Sequence, residues 1–98
     1  MILLFSFLSF LIPPPTFTLH VLVTDNYSPI ENPASYCAKV PIVLNDSIIL
    51  KSGDSIKVKA GPTKLNPVVN PKFWAYGYEE TINVYSDTTY TIVLEVVD

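Results

Sequence analysis

The chain of 98 residues contains no arginine, one cysteine, one histidine and only three glycines. Each shortage closes a class of function. Phosphate neutralisation and guanine reading lean on clustered basic side chains, and six lysines against nine carboxylates leave a net charge of −3, so no nucleic-acid partner is expected. Cys37 has no second cysteine, so no intrachain disulfide or thiolate-rich zinc site can form, although in an exported protein its thiol could link two chains. His20 lacks a Gly-x-Ser-x-Gly elbow that would present it with a serine, and it is read as a structural or solvent-facing side chain. Glu79 and Glu80 are adjacent, so on a strand they point to opposite faces and cannot pair for acid/base chemistry. Asp25, Asp46, Asp54 and Asp87 are isolated turn residues without EF-hand spacing. No catalytic residue, metal or cofactor is expected, and the chain is not expected to be an enzyme.

What is present is strand periodicity. Phe17, Leu19, Val21 and Val23 fall on one face at a period of two, and the run from Tyr90 to Val96 does the same. Strands are expected over residues 16–24, 36–44, 47–51, 55–60, 72–76, 79–85 and 89–97, with Asn, Asp, Gly and Pro between them. Pro41 marks the second as an edge strand or a bulge. Residues 61–71, with three prolines and two asparagines, read as an ordered surface loop. Seven strands over about 82 residues predict an all-β fold: an antiparallel two-sheet β-sandwich occupying residues 16–98. Residues 16–25 and 89–98 (TFTLHVLVTD and TYTIVLEVVD) resemble each other; two strands converging on one pattern is the simpler explanation, a chain cut from a tandem array the other.

Residues 1–15 lie outside this domain. The first twelve carry no charge and end at Pro13-Pro14-Pro15, a stiff spacer. Twelve residues are too few to span a bilayer as a helix, which takes about 20, but suit the core of a secretory signal. The missing basic start and cleavage site leave two alternatives open: an uncleaved membrane anchor, or an extended strand donated to a neighbouring subunit.

The order of these signals resembles the transthyretin-like β-sandwiches, including carboxypeptidase regulatory-like and PEGA-type domains. The elements that carry the resemblance are Val21-Leu22-Val23-Thr24-Asp25, Pro29 and Pro33-Ala34, Val40-Pro41-Ile42-Val43-Leu44, Ser52-Gly53-Asp54 and Ala75-Tyr76-Gly77-Tyr78. Immunoglobulin-like sandwiches match many of the same positions. The chain departs from the pattern at Asn45-Asp46-Ser47, where Asp-Gly is usual, and in the proline-rich loop. The resemblance implies a non-catalytic module on exported or cell-surface proteins and transfers no site residues.

Two features remain for binding. Trp74, Tyr76 and Tyr78 share one face of a strand; large aromatics are mostly buried, so a core placement is preferred, but the opposite phase would expose them for stacking on sugar rings, with Phe73 and Ala75 inward. Asn26-Tyr27-Ser28 and Asn45-Asp46-Ser47 both satisfy the N-glycosylation pattern. The expectation is an extracellular or cell-surface structural or adhesive module whose partners are protein subunits or surface glycans. A filament or virion subunit that donates residues 1–12, and a carbohydrate-binding module, are the alternatives.

Overall fold

Burial of alternate side chains makes the two longest strands. In β1 (Thr16–Asp25), Leu19, Val21 and Val23 are buried while Thr18, His20 and Leu22 are half-exposed, and β8 (Thr88–Val96) repeats the device with Ile92 and Leu94. The structure is a computed structural model that describes residues 14–29 and 31–97. The expected signal, anchor or donated strand of residues 1–12 lies outside the described residues. Between β1 and β8 come β2 (Ile42–Leu44), β3 (Ile48–Leu50), β4 (Ser55–Lys59), β5 (Gly61–Pro67), β6 (Ala75–Tyr76) and β7 (Glu80–Val84), with 3-10 turns at Ser35–Lys39 and Pro71–Phe73.

The described strands form two four-stranded sheets, ordered β4-β1-β8-β6 and β3-β2-β5-β7, which pack over a shared apolar cluster. Leu19, Val21 and Leu94 from the first sheet and Ile42, Leu65 and Val84 from the second are almost wholly buried in it. Burying each such side chain is worth about 1.5–3 kcal/mol. The protein is therefore mostly β, with eight strands among the described residues where seven were expected.

The expected antiparallel arrangement holds for the second sheet only. In the first, β1 and β8 run parallel, with His20 opposite Thr89 and Val23 opposite Ile92. A parallel pair needs a long crossover, and here nearly the whole intervening chain supplies it. The two stretches that resemble each other in sequence are thus neighbours, and their matched residues Leu19 and Ile92, Val21 and Leu94, all face the core.

Three further segments differ from the strands and loop expected of them. Residues 61–71, read as a loop, contain β5, an interior strand paired on one side with β2 and on the other with β7. Its prolines break no ladder. Lys64 exchanges bonds with Asn45 on the β2 side, so by alternation Pro62 also aims its missing amide there, beyond the Leu65–Pro67 stretch that β2 covers. Pro67 aims at the β7 side, beyond the Gly61–Leu65 stretch that β7 covers. Each absent donor therefore faces a side without a partner. Residues 36–44, read as one strand, divide into the first 3-10 turn and the three-residue β2, which is interior and begins after Pro41. The turn rotates Cys37 into the core, so its thiol is not placed to link two chains. Residues 72–76 become the second 3-10 turn, Trp74 in the left-handed region at φ 54, and the two residues of β6.

Turn chemistry fixes the connections. Asn45 and Asp46 take φ of 50 and 62, a left-handed backbone that Asn and Asp tolerate, and the Ser47 amide donates to the Leu44 carbonyl at 3.1 Å within the three-residue connection from Leu44 to Ile48. Gly77 is required by space: a Cβ there would lie 2.4 Å from Cγ of Pro67 and 3.1 Å from Cδ2 of Leu94.

Candidate functional site

The irregular segments that interrupt the strands meet at one end of the second sheet. The Val68 amide donates to the Pro41 carbonyl at 2.9 Å, tying residues 68–73 to the first 3-10 turn. Asn70 opens the second 3-10 turn, its Oδ1 accepting from the Lys72 amide at 3.1 Å while Pro71 occupies the first position. Between these segments lies a cleft of about 590 Å³. Its walls are the apolar side chains of Val40, Pro41, Val68, Val69, Pro71 and Phe73. Tyr36 stacks on Phe73 with ring centroids 5.2 Å apart and planes 15° from parallel, and the Lys72 ammonium sits 5.2 Å from the Phe73 centroid.

The Tyr36 wall is anchored from below. Its hydroxyl donates to Oδ2 of buried Asp25 at 2.7 Å, and Oδ1 of the same carboxylate accepts the amides of Tyr27 and Ser28 at 3.1 and 2.7 Å. Burial pushes the Asp25 carboxyl upward, but the Tyr36 hydroxyl and the Ser28 and Tyr27 donors outweigh it and hold the group below its ordinary value. Burial, then the Asp25 carboxylate, pushes the Tyr36 phenol up, and burial does the same to the Cys37 thiol. Tyr36 is a neutral, fixed donor and Cys37 an inert thiol.

A second surface continues along the chain. Trp74, Tyr76 and Tyr78 are 68%, 51% and 60% exposed, which corrects the preferred core placement of these rings. Ala75 is buried between them, and the backbone is pinned by Val97 donating to the Trp74 carbonyl at 2.8 Å and by Tyr76 pairing with Glu95. The left-handed turn at Trp74 ends the 3-10 segment and leaves Phe73 partly exposed over Tyr36 rather than inward. The Tyr78 hydroxyl donates to Glu95 at 3.3 Å, and the carboxylate raises the phenol above its ordinary value. Tyr76 lies on β6, the edge strand of the first sheet, and Trp74 and Tyr78 flank it in the chain.

No family model, no curated protein and no solved structure matches this chain.

The other singled-out residues are placed as follows. His20 Nδ1 meets Ser55 Oγ at 2.8 Å across β1 and β4, but on an exposed sheet face, with no carboxylate bonded to the ring among the described residues. Asp25, Asp54 and Asp87 accept backbone amides, and Asp46 pairs with Lys64 at 2.7 Å. Glu79 also reaches Lys64, at 3.3 Å, while Glu80 accepts from the Tyr90 hydroxyl. Asn26 and Asn45 are both exposed, yet each side-chain oxygen is engaged: Asn26 accepts from Val96 and Asn45 from Lys64, both at 2.9 Å. Among the described residues no three His, Cys, Asp or Glu side chains gather as metal ligands, and no helix is long and apolar enough to cross a membrane.

Proposed function

We propose that this protein is a non-enzymatic, exported or cell-surface β-sandwich module of adhesive type, and that its aromatic edge stacks on the sugar rings of a surface glycan. The observation that carries this reading is the exposure of Trp74, Tyr76 and Tyr78 along one pinned stretch of backbone. Exposed Trp and Tyr held by a rigid scaffold offer large apolar area with a polar tip at little entropic cost, which suits a ligand wet on one side and apolar on the other. The uncharged residues 1–12 support export. The strand pairing bears on the two sandwich types. An immunoglobulin constant domain groups its first, second, fifth and fourth strands in one sheet. Here β1 joins β4 and β8, whereas β2 joins β3 and β5, a grouping different from that of the constant domain. Screening the full chain on a glycan array tests the proposal: binding lost in Trp74→Ala at unchanged melting temperature is expected, and no retained glycan, or retention by the variant, overturns it.

A second reading rests on β8. Because β6 pairs only with Glu95 and Val96, the outward amide and carbonyl groups of Thr89, Thr91 and Val93 have no ladder partner among the described residues. Residues 88–94 carry no charge and no proline, the devices that discourage edge pairing, whereas the β4 edge displays Lys57 and Lys59. Such an edge suits a filament or virion subunit that receives residues 1–12 of a neighbour as an added strand. Deleting residues 2–12 should then abolish polymer while leaving a folded monomer; unchanged assembly counts against it.

A further inference from the structure

We propose that the cleft between the two 3-10 turns binds a small planar aromatic carboxylate, independently of the aromatic edge. Three observations converge. The first is size and lining: about 590 Å³ walled by valines, prolines and the Phe73 ring falls in the range of small-molecule pockets, and flat proline and ring surfaces suit a planar body. The second is the polarity of its hydrogen-bonding groups. The lining residues with polar side chains are Tyr36, Lys39, Asn70 and Lys72. The Tyr36 proton is spent on Asp25 and the Asn70 oxygen already accepts the Lys72 amide, so the N–H donors that these side chains still offer are the Asn70 amide and the two ammonium groups. A ligand completing this set must bring an acceptor. The third is charge: among the described residues no carboxylate lines the cleft and neither Lys39 nor Lys72 has an ion-pair partner, in a chain with a net charge of −3. The acceptor the cleft complements is therefore an anion, with its ring against Val40, Val69 and Phe73 and its carboxylate between the lysines.

The test is a heteronuclear NMR titration of the full chain with 2-naphthoate, 2-naphthamide and 2-naphthylmethylammonium. Saturable shifts at Lys39, Val68, Lys72 and Phe73 are expected, with the carboxylate binding about tenfold more tightly than the amide and the ammonium weakest. That preference should collapse in the Lys39→Gln/Lys72→Gln double variant, and in the unaltered protein it should shrink as salt rises. Equal affinity for acid and amide, shifts centred elsewhere, or no saturation up to about 5 mM would overturn the proposal. The salt series on the unaltered protein decides the matter even where the variant folds poorly. Trp74→Ala leaves naphthoate binding intact, so failure of glycan binding and failure of this site are separable.

Discussion

The middle of the molecule and the end that carries the cleft are built on opposite rules. In the middle, β1 and β8 alternate buried and exposed side chains, and the core residues Leu19, Val21, Ile92 and Leu94 follow from the period of two. At the cleft end the chain passes through two 3-10 turns, a left-handed tryptophan and a run of prolines, and large side chains such as Trp74 stand in solvent. Regular alternation secures the fold, while the irregular end offers surfaces that the fold does not need for stability.

The sharpest break in that comparison should come from Leu94→Ala. The side chain is fully buried, and truncation should cost about 2–5 kcal/mol in urea denaturation, whereas Val93→Ala on the exposed face of the same strand should change little. Asp25→Asn comes next, because it weakens the anchor joining the middle to the cleft wall. Replacing a carboxylate that accepts from Tyr36, Ser28 and Tyr27 should cost about 1.5–3 kcal/mol near neutrality. The sign of its pH dependence follows from the lowered carboxyl. The ionised form is favoured in the folded state, so its contribution is present above the ordinary carboxylate range and is lost as acidification passes through the folded value. Thermal melts from neutral pH down to about pH 2 should therefore fall more steeply for the unaltered protein than for Asp25→Asn.

Gly77→Ala probes the seam between the regions. The added methyl would collide with Pro67, a ring that cannot swing aside, and should cost about 1–3 kcal/mol by overpacking. Trp74→Ala should have the smallest effect, within about 0.5 kcal/mol of the unaltered stability, since the ring contributes surface rather than core.

The difference between the regions also explains what could be read from the amino-acid order. β1, β4 and β8 were legible because an apolar residue recurs at every second position. β5 was not, because proline within a run argues against a strand, whereas here only the direction of its missing donor matters: Pro62 and Pro67 sit at opposite ends and face opposite unpaired sides. The parallel pairing of β1 with β8 is set by how the sheets close on each other, which local pattern does not encode. The aromatic trio was visible as a motif, but its phase was not, since the left-handed turn at Trp74 resets the alternation. The cleft gave no local signal: Tyr36 and Lys39 come together with Lys72 and Phe73 across more than thirty residues of chain.

Trp74 is the sole tryptophan, so its fluorescence reports directly on whether the irregular end presents its aromatics to a partner. The account predicts water-like emission from the native protein, free quenching by acrylamide, and shielding when a bound glycan covers the ring. Blue-shifted emission already protected from acrylamide in the ligand-free native state would place the indole in the core and contradict it.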